Sequence, residues 1–536
     1  MDKFLKDSGI FCISSWDRVG GQSVHFNGIC YLENCIIFGQ EGFEKYLAEN
    51  INVESLVEGR FTAVYPLSSD FKDWCICNDE TGQGLIFFYN YNENWAVSNS
   101  FLYLVEFLNK KNVKLSFNIS SVMGFSALHT TTQQPISHST LVSEVRLLPL
   151  NEIIHIKDLK LNFVKRAVKP KYSYEEGLVL FRDSWVNRLN ALSNCFSGGI
   201  HCDLTGGYDS RTIFGLVLSS DIDLKSLNVR SQIGKVEDFN VATRISDSYK
   251  FSLNSGHFSK KKVSNEKLFE LWRYGNLGIY FPVYFNACSY SQSTDNIVMH
   301  GAGGEALRDK YYNDTPMMLA SKLSKRLNKI YEPKLIESFF NEFLKGAAEA
   351  GFSPNQEFDS SYYNFYRSRY HFGRNQYRNL NSTLITPLAS SLLHQLKSDL
   401  GKNAPDTLIY SDLMLLCDHR LIDFDFDDPS RNFSREQIEN SIFYKKSPRI
   451  NHQAISIYTG NIELDEMEFK NTVTPNQILC DEISKFGPIL SKMCLITESR
   501  LEILKKDILA RVDLTKNLRM ASYLLSVATI RLLCNN

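Results

Sequence analysis

Residues 203–211 read Asp-Leu-Thr-Gly-Gly-Tyr-Asp-Ser-Arg, a Gly-Gly pair set between two apolar-biased runs. Upstream, residues 199–204 (GIHCDL) predict a short strand; downstream, 212–219 (TIFGLVLS) predict the opening of a buried helix. Gly206 and Gly207 carry no Cβ, so backbone N–H groups can turn inward there. With the positive end of the following helix, those amides form a seat for a multiply charged anion. Thr205 and Ser210 add hydroxyl donors, and Asp209 is a hard oxygen ligand suited to Mg²⁺ on a phosphate. Gly, Asp and Ser also populate ordinary strand–turn–helix corners. No Gly-Lys-Ser/Thr follows, so the loop is not of the Walker type.

Residues 297–312 repeat the arrangement as Ile-Val-Met-His-Gly-Ala-Gly-Gly-Glu-Ala-Leu-Arg-Asp-Lys-Tyr-Tyr. An apolar strand, 297–299, is expected to run into a turn containing Gly301, Gly303 and Gly304, with Glu305 opening a helix. Alone, this is a glycine turn with a carboxylate favourably placed at a helix start. Together, the two segments offer Asp209 and Glu305 as a hard-cation pair. The stretch 205–210 resembles the S-G-G-x-D-S pyrophosphate loop of the ATP pyrophosphatase superfamily, with Thr205 replacing the first Ser. The stretch 297–312 is similar to the S-G-E-G-x-D-E-x-x-x-G-Y segment of asparagine synthetases and relatives such as β-lactam synthetase and the lasso-peptide cyclases. The resemblance implies ATP cleavage between its α and β phosphates, with ATP and Mg²⁺ as ligands. It places Leu204, Thr205, Gly206, Gly207, Tyr208, Asp209, Ser210, Gly301, Gly303 and Gly304 against the nucleotide, and makes Asp209 and Glu305 the metal ligands.

Departures from the family pattern carry information. Ala302 stands where asparagine synthetase has Glu and β-lactam synthetase its catalytic Tyr. In Asn381-Ser382-Thr383-Leu384-Ile385-Thr386-Pro387-Leu388, which resembles G-L-E-A-R-V-P-F, Thr383 replaces the family's Glu. Ring closure by that dyad is not expected. Residues 227–231 predict a second parallel strand; the resemblance implies that Val229 and Arg230 there contact the nucleotide, mostly through backbone. Glu237 and Asp238, before a helix-like stretch at 241–249, are second-rank nucleotide contacts or solvated helix-end charges. Lys445 and Lys446 fall where the family often places a charge-stabilising Lys, although a surface pair is the simpler explanation.

The first third alternates short apolar runs with Gly-, Asn- and Asp-rich turns (9–14, 23–32, 35–39, 59–66, 74–78 and 85–91), a β-sheet signature. Asn27-Gly28-Ile29-Cys30-Tyr31, residues 58–64 (EGRFTAV) and 78–84 (NDETGQG) resemble N-G-E-I-Y, E-G-x-F-A-F and A-R-D-x-x-G-x of class II glutamine amidotransferase domains. Residues 147–152 are similar to that family's exit strand. The family's nucleophile is an N-terminal Cys, but residue 2 is Asp, and Ser8-Gly9-Ile10 is the local match to C-G-I. No glutaminase activity is expected.

At 536 residues the chain implies two or more domains. A 43% hydrophobic content suffices for packed interiors, and a net charge of −1 gives no general pull toward nucleic acid or membrane. Twelve scattered cysteines without C-x-x-C argue against zinc and disulfide frameworks and for a reducing compartment. No signal peptide or apolar span of ~18 residues is visible, so a cytoplasmic location is expected. Helices are expected at 174–192, 334–347 and 501–512. The Arg- and aromatic-rich stretch 362–377 reads as core with a wet edge, or as a face for a planar or anionic substrate. Acidic 423–428 receives no role. His201, His300 and His371 show no acidic or nucleophilic partner.

The expected fold mixes α/β and α+β. Residues 1–170 would form a degenerate amidotransferase-like domain with an Ntn-hydrolase-like β-rich sandwich. Residues 171–536 would form an asparagine-synthetase-like ATP pyrophosphatase domain, a doubly wound parallel sheet with many helices. The expected activity is an ATP-dependent ligase that adenylates a small-molecule or peptide carboxylate and passes it to an amine. Asp209, Glu305, Lys445 and Lys446 would serve catalysis. Neither nucleic acid nor membrane is an expected partner, and homodimerisation is left open. Alternatives are a non-catalytic nucleotide-binding or scaffold relative, and ammonia-dependent amidation of a sugar acid.

Overall fold

The computed structural model describes residues 9–16, 23–50, 56–68, 72–127, 129–167, 170–196, 199–256, 264–277, 280, 283–285, 297–308, 313–328, 331–372, 383–401, 403–460, 473–493 and 495–534. Among these, the amino-terminal strands are β1 (Cys12–Ser14), β2 (His25–Tyr31), β3 (Cys35–Phe38), β4 (Glu58–Pro66), β5 (Trp74–Asn78), β6 (Phe87–Tyr91), β7 (Asn94–Ser98), β8 (Arg146–Leu147), β9 (Glu152–Lys157) and β10 (Lys160–Lys165). Strands β1, β7, β6 and β8 form one antiparallel sheet in that order; β10, β9, β5, β4, β2 and β3 run antiparallel in a second.

Alternation along the strands builds the layers, because successive side chains point to opposite faces. Val64, Trp74, Ile76, Ile154 and Ile156 meet Ile13, Trp95 and Val97 of the other sheet. Phe61, Ala63, Tyr65, Cys75 and Cys77 face the other way, packing with Phe43 and Tyr46 of helix α1 (Gly39–Glu49). The outer face of the four-stranded sheet packs on helix α2 (Phe101–Lys110) through Phe87, Tyr89, Phe101 and Leu104. The described cysteines are free thiols.

Ser173 and Glu176 form a reciprocal capping box that starts helix α3 (Tyr174–Ser193), within one residue of its expected end. A third sheet follows, with β11 (Ile200–Asp203), β12 (Asn228–Arg230), β13 (Ile297–Met299) and β14 (Thr383–Ile385), all neighbours parallel, in the order β12-β11-β13-β14. Helix α4 (Tyr208–Leu218) leaves β11, and α5 (Val236–Tyr249) leaves β12. Strand β11 therefore has its successor on one side and β13 on the other. The order reverses there, and the crevice beyond the carboxyl ends at such a switch point is where open α/β sheets take ligands.

Helix α4 starts at Tyr208, four residues before the apolar run that predicted it. Tyr208, Asp209 and Ser210 thus belong to its first turn rather than to the loop, because Gly207 serves as N-cap in extended conformation. Further helices include α6 (Pro333–Glu349), α7 (Leu408–Cys417), α8 (Glu498–Leu509) and α9 (Leu514–Leu533). Tyr362, Tyr363, Tyr366 and Tyr370 are buried, as is Arg369, so this part of the aromatic stretch is core; Arg374 lies outside the described residues.

Two late segments return to the amino-terminal sheets. Strand β15 (Ser456–Tyr458) adds in parallel to β3, making the second sheet seven-stranded. Helix α9 packs into the same apolar cluster as Phe87 and Leu104.

Candidate functional site

Strands β11 and β13 are paired neighbours, so the two glycine turns that follow them emerge side by side. Gly301 and Gly304 make this approach possible. A Cβ on Gly304 would lie 2.0 Å from Asp209 Oδ1, and one on Gly301 would lie 2.9 Å from Asp209 Cβ. Gly303 adopts φ +101°, a conformation open mainly to glycine. The second turn continues into a short 3₁₀ segment, Gly304–Leu307, carrying Glu305.

In the first turn the amides are engaged by acceptors of the protein itself. Thr205 N–H donates to Ser210 Oγ (3.0 Å), Gly207 N–H to Thr205 Oγ1 (3.3 Å), and the two hydroxyls lie 2.8 Å apart. Gly206 N–H donates to a carboxylate, Asp238 Oδ1, at 2.7 Å. That amide thus holds a carboxylate supplied by the first turn of α5. Asp427 closes the outer side: its N–H donates to Gly206 O (3.2 Å), and Arg431 pairs with its carboxylate at 2.9 Å.

Segment 421–433, which contains the acidic stretch 423–428 given no role from sequence, is strapped onto this turn by α4. The Arg211 guanidinium, fully buried, donates to Leu421 O, Phe424 O and Asp425 O and lies 3.8 Å from the Phe426 ring centroid. Burial pushes its pKa down to about 10. Tyr208 donates its hydroxyl to Arg431 O (2.5 Å) and packs on Phe426 and Phe433. Within 424–427, Phe426 therefore faces α4, while Phe424 packs toward Tyr249 of α5.

Asp209 is bound on both oxygens. Tyr410 of α7, buried, directs its hydroxyl at Asp209 Oδ1 (2.8 Å) and at Gly304 O. Arg308 Nη2 donates to Asp209 Oδ2 at 3.0 Å, and its guanidinium lies 5.8 Å from the Tyr410 ring centroid. Burial alone would lower the Arg308 pKa; the Tyr410 phenol and the Asp209 and Glu305 carboxylates outweigh it and raise it. For Tyr410, burial dominates and raises the phenol well above its usual range, with Asp209 adding to the rise. Both groups thus sense both carboxylates. Glu305 Oε2 is buried without a hydrogen-bond partner. An orphaned carboxylate oxygen in such company fits a hard cation.

Of the other expected contacts, Val229 is buried in β12, and Leu204 N–H donates to Arg230 O (2.8 Å). The Arg230 side chain pairs with Asp203 at 2.8 Å. His300 Nε2 lies 4.0 Å from Asp203 Oδ2, which corrects the reading that it has no acidic partner. His371 accompanies Tyr280 (2.7 Å), and His201 stands 3.5 Å from Asn228. Lys446 reaches Glu175 at 3.8 Å on an exposed surface, and Lys445 lies over Tyr444. Ala302 is buried among apolar residues that include Met123 and Phe339. Thr383 begins β14, while Asn381, Ser382 and residues 309–312 lie outside the described residues.

In the amino-terminal sheets, Asn99 accepts Phe11 N–H (3.0 Å) and donates to Gly9 O (2.9 Å), and Gly9 is pressed against Asn27. Ser8 lies outside the described residues. Asp79, of the 78–84 motif, is buried and accepts from Thr81 Oγ1, Gln83 N–H and Gly84 N–H.

Arg308 and Tyr410 were missed from sequence. Arg308 sits three residues beyond Glu305, at a position that an apolar reading of the helix start does not favour. Tyr410 comes from an apolar helix 201 residues away in the chain from Asp209. No family model matches the chain, and no curated protein matches it. Among the described residues, no helix is long and apolar enough to cross a membrane.

Proposed function

We propose that this chain is an ATP-dependent ligase that adenylates a substrate carboxylate and transfers the acyl group to an amine. The supporting observation is the meeting of two glycine turns at the switch point of a parallel sheet, which gathers an amide seat, a helix N-terminus and two carboxylates. Asp209 and Glu305 would hold Mg²⁺, whose role when bound is to neutralise phosphate charge. The turn at 205–207 and the first turn of α4 retain the pyrophosphate through N–H donors and helix polarity. The substrate carboxylate oxygen attacks the α-phosphorus, the bond to the bridging oxygen of the β-phosphate breaks, and pyrophosphate leaves. The amine then adds to the acyl carbon, AMP departs, and the amine proton passes to solvent. The helix–sheet–sheet–helix layers of the amino-terminal part suit an amidotransferase-like unit.

Incubation with α-labelled ATP, Mg²⁺ and panels of acids and amines should yield AMP and pyrophosphate; formation of ADP would overturn the assignment. A second reading, a nucleotide-binding scaffold without turnover, is favoured by the ion pair Arg308–Asp209 and by the apolar burial of Ala302. ATP binding by calorimetry with no AMP across the same panels would select it.

A further inference from the structure

Resting on the nucleotide reading above, we propose that Arg308 is the internal counter-ion of Asp209, and that a dication joins Asp209 and Glu305 only in company with a polyphosphate that takes the guanidinium over. Three features carry this. First, Arg308 Nη2 meets Asp209 Oδ2 at 3.0 Å, with both side chains about two-thirds or more shielded from solvent. Its Nε is buried and has no hydrogen-bond partner, while the side chain as a whole is 30% exposed, so the outer part of the guanidinium is what an incoming anion can reach. Second, Asp209 and Glu305 supply two carboxylates, whereas a Mg²⁺-type ion wants six oxygens in total. Among the described residues no cluster of three or more metal-binding side chains occurs. The remaining oxygens must come from ligand or water.

Third, the anion seat is filled in the matching sense. Gly206 N–H is occupied by the Asp238 carboxylate at 2.7 Å, with Lys235 3.8 Å from that carboxylate. A guanidinium therefore stands beside the carboxylate that would meet a metal, and a carboxylate stands on the amide that would meet a phosphate. A bare dication arriving at Asp209 would strip Arg308 of its acceptor and face a like charge, with nothing offered in return. A metal–polyphosphate brings both signs at once. Arg308 then exchanges a carboxylate oxygen for phosphate oxygens, and Asp238 yields the loop amide to phosphate. Metal and nucleotide binding are coupled through one side chain.

The test is Mn²⁺ binding by titration calorimetry, with and without α,β-methylene-ATP, on the full chain. The wild type should bind bare Mn²⁺ weakly and gain about tenfold or more with the analogue, within the usual range of coupling between ligands. Arg308→Met should bind bare Mn²⁺ about tenfold more tightly than the wild type, and the gain from the analogue should shrink correspondingly. Arg308→Lys, which keeps the charge, should retain the wild-type pattern. A folded Arg308→Met protein that binds bare Mn²⁺ no better than wild type overturns the proposal. So does a wild type whose Mn²⁺ affinity ignores the analogue, whatever the variants do. If Arg308→Met tightens Mn²⁺ while the analogue binds neither protein, the counter-ion role stands, and both its coupling to nucleotide and the nucleotide reading fall.

Discussion

One hydroxyl proton on Tyr410 faces two acceptors, Asp209 Oδ1 and Gly304 O, and so ties the two glycine turns together from below. Tyr410→Phe keeps the ring but removes a buried hydroxyl that donates to the Asp209 carboxylate, and a bond to a charged group is worth about 1.5–3 kcal/mol. Urea denaturation should show that loss. Asp209→Asn changes charge without changing shape. If Asp209 holds the metal, AMP formation should fall at least about 100-fold, equivalent to about 2.7 kcal/mol of barrier, in a protein whose circular dichroism shows it folded. An unchanged rate would remove Asp209 from the reaction. Gly206→Ala would set a Cβ 2.4 Å from Asp427 Cβ, so the 421–433 strap must move. Loss of binding by the nucleotide analogue, with a stability loss of about 1–3 kcal/mol, is the expected result.

Elements were read unevenly, for identifiable reasons. Strand β13 occupies the residues its Ile-Val-Met run predicts, and α3 ends one residue beyond its expected limit, because apolar spacing alone defines both. Helix α4 begins earlier than its apolar run. Its first turn, Tyr-Asp-Ser-Arg, is polar and reads as loop, and only the N-cap geometry of Gly207 reveals otherwise. The glycine turns that precede Asp209 and Glu305 were legible as turns, although Asp209 itself lies in the first turn of α4. Their adjacency was not, since it depends on the pairing of β11 with β13, Ile200 opposite Ile297, nearly a hundred residues apart. The same applies to 423–428, whose alternating Phe residues announce one buried face without naming Arg211 as what they bury against. Strand β15 is another long-range pairing absent from sequence reasoning. Gly42 of α1 lies beneath it, and a Cβ there would come 2.4 Å from Tyr458 O. Gly42→Ala should loosen β15, raising hydrogen exchange at Ile37 and Ile457 while leaving β9 protected.

Across the whole molecule, charged ties connect early and late parts of the chain. Arg188 of α3 makes a two-pronged bond to Glu58 of β4 (2.9 and 2.8 Å) and lies over Tyr31 and Trp185. Removing one partner of such a shielded pair costs roughly 3 kcal/mol, at the lower end because Glu58 is 30% exposed. Arg188→Ala should lower the unfolding free energy measured by urea denaturation by that amount. Glu349, at the end of α6, accepts the His138 backbone N–H at 2.7 Å and pairs with Arg146 at 3.0 Å. Burial alone would raise its pKa, but the bonds from His138 prevail and hold it at about 2, below the ordinary 4.5. A depressed carboxylate stabilises the fold fully above its unfolded pKa, and that contribution is lost as pH falls from about 4.5 toward 2. Glu349→Gln should flatten this acid limb in pH-dependent melting; an unaltered limb would show that Glu349 does not drive it.

The parallel addition of β15 to β3 bears on biosynthesis. During translation β3 is made about four hundred residues before its partner Ser456 leaves the ribosome, and until then its outer edge offers unpaired backbone groups. Such an edge invites pairing with other chains, so nascent or truncated forms ending before 456 should depend on chaperones and should aggregate more readily than the full-length product.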